Sequence, residues 1–246
     1  MRCMFRRLKE RATEPELMDD FTMGGAELRE ALHHLRRLNR IFGAASPTLH
    51  GVRRIWTEAG KPSTFSILDI GSGSGDVNRR ILKWADMQGI DVRITLVDIT
   101  EEACDEARLY YYNEPRVQVM RCDALELPEG SADVVTGTQF IHHFHEHELP
   151  EVIASLMKAS RLGVVINDIH RHWIPYTAVW ITTRLVSNNR YIVNDGPLSV
   201  AKGFRAKDWQ LIRQSLQMPE MSYSWRPLFR YLVVIRHNNL HSEARS

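Results

Sequence analysis

From residue 65 onward, short apolar runs alternate with longer stretches in which apolar residues recur at helical spacing. The runs at 65–70, 92–97, 117–122, 132–136 and 162–167 predict strands, and 76–88, 101–112 and 147–159 predict helices. This alternation predicts an α/β fold, a mostly parallel sheet with helices on both faces. Residues 1–60 follow a different pattern and read as mostly helical. Leu28, Ala31, Leu32, Leu35, Leu38, Ile41 and Phe42 fall at helical spacing, with the intervening arginines assigned to the wet face. Residues 16–19 carry similar spacing, and Pro47 is placed to open a helix through Val52, Ile55 and Trp56. The turn-forming run Gly60-Lys61-Pro62-Ser63 then marks a boundary between an N-terminal helical cap, 1–60, and the α/β domain, 61–246.

After the fifth strand the pattern is less regular, and residues 172–203 read as a substrate-covering insertion. Trp173, Tyr176, Val179, Trp180, Thr183 and Leu185 share one helix, which Asn188-Asn189-Arg190 ends. Asp195-Gly196-Pro197 predicts a turn, and 209–216 a further helix. Residues 223–225 and 230–235 predict an antiparallel hairpin with Arg226-Pro227 at its tight point. Proline does least harm there if the hairpin lies at the sheet edge.

Composition narrows the class without changing the architecture. Thirty-two basic against 30 acidic residues leave a net charge of +2, too even for nucleic acid to be the main partner. The basic start, residues 2–9, resembles the charged end of a targeting peptide. No apolar stretch of signal-peptide length follows it, and Glu10, Glu14 and Glu16 come too soon for a mitochondrial presequence. No run approaches the ~20 apolar residues of a membrane span. Cys3, Cys104 and Cys122 have neither metal-ligand nor redox spacing, which fits free thiols in a reducing, cytoplasmic compartment.

The candidate chemistry begins at the end of the first strand, in Leu68-Asp69-Ile70-Gly71-Ser72-Gly73-Ser74-Gly75-Asp76. Glycines let a backbone turn tightly against a ligand, and the following helix offers free N–H groups. Such a loop also suits a nicotinamide dinucleotide. Asp69 discriminates: a carboxylate just before the loop is poorly suited to a pyrophosphate but suits a ligand end carrying an ammonium group. Asp98, ending the second strand in Val97-Asp98-Ile99, can accept both hydroxyls of a ribose. Asp123, in Cys122-Asp123-Ala124 after the third strand, is placed to accept from an adenine amine. Three acids at one sheet edge weigh more than any one of them; the competing reading of Asp69 or Asp98 alone is a capping or surface aspartate.

These motifs, with Asp133-Val134-Val135 and Ile141-His142-His143-Phe144, resemble the Class I S-adenosylmethionine-dependent methyltransferases, most closely the ubiquinone/menaquinone-biosynthesis type acting on small molecules. The resemblance covers 65–167, a little under half the chain. It implies a Rossmann-like doubly wound sheet of seven strands, with the C-terminal hairpin at about 222–236 inserting an antiparallel strand. It also implies S-adenosylmethionine as cofactor, held by Asp69, Gly71, Ser72, Gly73, Gly75, Asp98, Ile99, Cys122, Asp123 and Ala124, and by Gly137 and Thr138 through backbone atoms.

Methyl transfer from a sulfonium needs alignment and, for a phenol with a pKa near ~10, a base. His142, His143, His145 and His147 follow the fourth strand; His170 and His172 follow the fifth. Both loops lie at the carboxyl edge, where open α/β sheets bind ligands. His170 is the favoured base, with Asp168 orienting its ring if the loop is not a regular strand; His142 and His143 are also candidates, with packing or cofactor shielding as the competing role. A metal site from His145, His147, His170 and His172 is disfavoured by loose spacing, and no metal is expected. Trp173, Tyr176 and Trp180 either wall an aromatic or apolar acceptor pocket or form core. Arg205 and Arg230 are read as structural.

The sequence therefore predicts a methyltransferase acting on a small molecule, on the hydroxyl oxygen of a phenolic or polyketide-type aromatic. Asn167-Asp168-Ile169-His170-Arg171-His172 and Asp195-Gly196-Pro197-Leu198-Ser199 resemble a bacterial subgroup associated with phenolic-lipid and polyketide pathways. Carbon methylation of a quinone precursor is the neighbouring alternative. A non-catalytic cofactor-binding partner protein and an NAD-dependent oxidoreductase are alternatives from other classes. Thr136-Gly137-Thr138-Gln139 stands where protein and nucleic-acid methyltransferases carry an Asn-Pro-Pro-Tyr-like loop, which disfavours those substrates.

Overall fold

Alternate residues of a strand face opposite sides of its sheet, and here both sides are apolar. In β1 (Thr64–Ile70), Phe65 and Ile67 join one core cluster while Leu68 and Ile70 join another. In the computed structural model, which describes residues 8–20, 24–218 and 220–237, these clusters lie on the two faces of one seven-stranded sheet. The other strands are β2 (Asp91–Asp98), β3 (Val117–Arg121), β4 (Ala132–Thr138), β5 (Ser160–Ile169), β6 (Ser222–Arg226) and β7 (Arg230–Arg236). Their order is β3-β2-β1-β4-β5-β7-β6. β7 runs antiparallel between β5 and the edge strand β6, so the hairpin inserts as expected.

The eight α-helices among the described residues are α1 (Ala26–Ile41), α2 (Ala45–Glu58), α3 (Asn78–Gln88), α4 (Glu101–Tyr110), α5 (Leu149–Ala159), α6 (Trp173–Val186), α7 (Arg190–Lys202) and α8 (Ala206–Ser215). Residues of α2, α3 and α4 cover one face; Ile153 and Leu156 of α5 and Trp209 and Ile212 of α8 cover the other. Thus α2, assigned to the cap, belongs to the sheet's helical layer through Val52, Ile55 and Trp56. Residues 8–20, α1 and α7 instead pack on one another through Leu17, Met18, Ala31, Leu38, Tyr191 and Ile192.

Three local expectations are corrected. Residues 16–19 do not start a helix: only a 3-10 turn, Leu17–Asp19, forms, and residues 9–16 are irregular. Asp195-Gly196-Pro197 lies within α7 rather than in a turn. Its carboxylate is taken by the Leu17 and Met18 N–H groups at 2.9 and 3.0 Å, and Gly196 packs closely against Thr183 and Val179 of α6. β5 runs beyond residue 167 to Ile169, because its pairing with β7 continues through Asp168 and Ile169. Cys104 and Cys122 are free thiols; Cys3 and most of the basic start lie outside the described residues. No described helix is long and apolar enough to cross a membrane.

Candidate active site

β1 ends in the glycine loop because Gly71, Gly73 and Gly75 all take positive φ, at 54°, 54° and 70°. A β-carbon at Gly71 would collide with the Phe140 ring, and one at Gly75 with Leu96. At Gly73 the nearest atom is Leu32 Cδ2, 3.8 Å away, so that glycine faces open space. The space is a cavity of about 1000 Å³. Gly71, Ser72, Gly73, Asp69, Asp98, Ile99, Cys122, Asp123, Ala124 and Thr138 line it, as the motif reading expects of cofactor contacts. Gly75 and Gly137 do not: Gly75 packs on Leu96 and Tyr111, and Gly137 sits behind the wall against Ile70 and Phe140.

The acids at this end are held in place. Asp69 is buried and accepts from Asn78 Nδ2 and Thr136 Oγ1, both at 2.6 Å. Burial pushes its carboxyl up to about 6 against those two donors, and the charges of Asp76 and Asp98 add to the rise. Asp98 accepts from the Gly73 N–H at 2.9 Å and from the Thr100 N–H and hydroxyl at 3.1 and 2.9 Å, which ties the second strand to the glycine loop. Asp123 accepts from the Leu125 N–H at 2.9 Å. Asp76 also lines the cavity, accepting from Asn39 of α1 at 3.1 Å, a contact that sequence reasoning missed.

The far end is built from histidines and an N-terminal strap. His142 is buried: its Nδ1 lies 2.7 Å from Asp168 Oδ1, and its Nε2 lies 3.5 Å from Glu16 Oε1. Burial opposes its charge, but Asp168 and Glu16 together push the imidazole up to about 9. His143 is more exposed, and its Nδ1 lies 2.6 Å from Asp19 Oδ1. Burial works to raise the Asp19 carboxyl, yet His143 and Lys202 hold it well below the usual range. Lys202 Nζ stands 3.6 Å from Glu16 and 3.3 Å from Asp19. Glu16, His142 and His143 bring ligand atoms within 4.8 Å of one another, but the Lys202 ammonium already supplies the cation those carboxylates need. Arg11 fastens the strap by donating to the carbonyls of Lys202, His142 and Phe144. Glu16, Asp19, Arg11 and Lys202 were not found from sequence, since no local pattern links residues more than 100 positions apart.

His170 stands elsewhere. Asp168 does not orient His170, because its carboxylate is taken by the His142 ring and N–H and by the Ile169 N–H. Asp168 turns to His142 instead, and His170 Nδ1 accepts from Trp225 Nε1 at 3.2 Å. Burial, followed by His172, Arg205 and Arg171, pushes His170 down to about 4. His170 does not line the cavity, and neither do Trp173, Tyr176 or Trp180: α7 lies between α6 and the cavity. His145 lines it at the rim and stacks on His147, apart from the His170–His172 pair. Arg230 is buried near Asp168, and Arg205 donates to the Leu8 carbonyl at 2.7 Å, both structural contacts.

Residues 67–163 match the family described as methyltransferase domain. The ubiquinone/menaquinone biosynthesis C-methyltransferase of Rickettsia bellii is 29% identical over 121 residues, which is 46% of this chain and 47% of that protein. The chain thus spans about half the length of the curated relatives it matches. Human N-acetylserotonin methyltransferase in complex with S-adenosylmethionine superposes with a TM-score of 0.60 at 12% identity, covering 95% of this chain and 65% of that one. An S-adenosylmethionine-dependent methyltransferase from Aquifex aeolicus gives 0.55 at 15% identity, covering 85% and 97%. At such identities these structures speak for the fold.

Over residues 67–163 the chain matches a methyltransferase domain, and its fold is that of S-adenosylmethionine-dependent methyltransferases. The cavity's donor set fits that cofactor: Asp69 is a buried carboxylate with neutral donors and like charges around it, which a cationic ligand end would stabilise.

Proposed function

We propose that this protein transfers a methyl group from S-adenosylmethionine to the hydroxyl oxygen of a small, apolar, phenolic acceptor. The observation that supports this most is His143, a carboxylate-backed histidine in the same cavity as the glycine loop. It lies three residues after Phe140, whose ring covers Gly71. Beside the charged cluster of Glu16, Asp19, His142 and Lys202, the acceptor end has an apolar wall of Leu28, Leu32, Leu35, Phe144 and Ile192 with Tyr191. A small aromatic fits such a wall better than a charged macromolecule.

Bound S-adenosylmethionine supplies an already activated methyl group on a sulfonium. The protein's part is to bind, orient and deprotonate. Asp69 would hold the ammonium end, Asp98 the ribose and Asp123 the adenine. With Nδ1–H donating to Asp19, the His143 Nε2 keeps its lone pair and accepts the acceptor's hydroxyl proton. His142, charged and locked between Asp168 and Glu16, positions its neighbour and the strap. The strap and α7 close over the acceptor and exclude water. The C-methyltransferase name of the curated relatives favours a second reading, transfer to a ring carbon activated by the same deprotonation. The free thiols Cys104 and Cys122 support a reducing, cytoplasmic compartment.

Asp69 provides the test of the cofactor end. Its folded pKa of about 6 lies above the ordinary value of 3.8, so the cofactor-free protein holds this proton up to about pH 6. A bound ammonium favours the ionised form, so binding below pH 6 expels the proton. Calorimetry should show S-adenosylhomocysteine affinity falling about tenfold from pH 7 to pH 5, levelling off above pH 7. A flat profile between pH 5 and 7 would remove Asp69 from the ammonium contact.

A further inference from the structure

α6 departs from the rule that surface helices hide an apolar stripe and show a polar one. Trp173, Ile174, Trp180, Ile181 and Leu185 are between 40% and 80% exposed. Together with Arg184 they occupy one arc of about 140° of the helix. The opposite side holds buried Pro175 and Thr183 and packs on α7. An exposed apolar face of this kind marks an interaction surface.

The face continues past the start of α6. The His172 ring lies 5.8 Å from Trp173 and stacks on Phe229 at 5.4 Å, and Phe229 meets Trp225 edge-on at 6.1 Å. Trp225 and Leu228 of the β6–β7 hairpin are each about half exposed. One aromatic and aliphatic surface therefore runs from the hairpin tip along the length of α6.

The charge on α6 itself has one sign, with Glu27 and Glu30 of α1 beside Arg184 and Leu185 at its C-terminal end. α6 has no acidic residue, and its single charge, Arg184, sits over the Trp180 ring at 4.2 Å. His170 is pushed down by burial and then by His172, Arg205 and Arg171, His172 by burial and then by Arg205, and His50 by burial and then by Arg226, Arg53 and Arg54. Arg54 and Arg171 are paired with Glu58 and Asp208. Arg53, Arg184 and Arg226 make no ion pair among the described residues, whereas the Arg205 guanidinium donates to the Leu8 and Arg171 carbonyls.

We infer that this face rests on an anionic lipid bilayer, with the tryptophans and isoleucines in the interface and the arginines towards headgroup phosphates. Tryptophan, isoleucine and arginine on one exposed helical face is the chemistry of an interfacial helix. A second copy of this chain fits less well, since a two-fold contact through the face would set arginines against arginines. α7 has α6 on one side and the cavity on the other, so the bilayer contact lies one helix from the acceptor pocket. The surface stands independently of which atom receives the methyl group.

The full chain is to be sedimented with phosphatidylcholine vesicles and with vesicles containing phosphatidylglycerol. It should pellet with the anionic vesicles, with a blue shift of tryptophan emission, and be released by high salt. The double variant Trp180→Glu/Ile181→Glu should partition at least about tenfold less, because two interfacial anchors become anions. Its affinity for S-adenosylhomocysteine should match that of the wild type, which reports that the fold is intact. Failure of the wild type to pellet, or equal pelleting of the variant, overturns the proposal. So does a wild-type dimer in light scattering that the variant turns into monomer, which assigns the face to a second copy.

Discussion

His143→Ala is expected to slow methyl transfer to a phenol by about 10² to 10⁴-fold, the usual worth of a general base, while leaving S-adenosylhomocysteine affinity unchanged. The side chain's hydrogen-bond partner is Asp19, 2.6 Å away, and its ring stacks on His142 at 4.3 Å, away from the groups assigned to the cofactor. The Asp19 contact fixes the ring and stabilises the charge it gains on taking a proton. Asp19→Asn should lower the rate by a smaller factor, since the imidazole remains but loses its anionic partner. A purely structural role would slow all acceptors alike. Loss of a base instead penalises weakly acidic phenols most, so an acceptor with a more acidic hydroxyl should narrow the gap between His143→Ala and wild type. An equal loss on both acceptors, or no loss, removes His143 from proton transfer.

Gly73→Val is expected to weaken S-adenosylhomocysteine binding by more than about 100-fold, the loss of several good contacts at 1.4 kcal/mol per factor of ten. The position has φ +54°, so a side chain there costs about 1–2 kcal/mol of strain. The larger effect is occupation: nothing but Leu32, at 3.8 Å, stands near the new β-carbon, so the branches of valine fill ligand space. Gly71 and Gly75 make poorer probes, because substitution there collides with Phe140 or Leu96 and damages the fold itself. A valine variant that keeps wild-type affinity would show that the ligand does not approach this loop.

The sheet and its two helical layers were legible because periodicity reports local burial. Ile67 and Leu68 are apolar for opposite faces, and that is visible in seven residues. The glycine loop and the three acids were legible for the same reason, being set by the strand ends that carry them. The acceptor end was not. His142 and His143 stood out as histidines, but their partners Asp168, Glu16 and Asp19 come from β5 and the strap, and only the fold brings them together. His170 was favoured for its neighbour Asp168, yet the extension of β5 turns that carboxylate to another histidine. Asp195-Gly196-Pro197 has turn composition, but the close packing of α7 on α6 and the strap's N–H groups hold it helical. The Trp173 and Trp180 stripe was correctly placed on one helix face, while its side of the helix could not be read from an apolar pattern that runs all round.

The central claim concerns the atom that receives the methyl group. The direct measurement is to incubate the purified chain with methyl-labelled S-adenosylmethionine and a panel of small apolar phenols, then locate the label by carbon NMR. A labelled methoxy group is expected, formed by the wild type and nearly lost in His143→Ala. Label on a ring carbon, or no transfer to any phenol by a protein that binds S-adenosylhomocysteine, would contradict it.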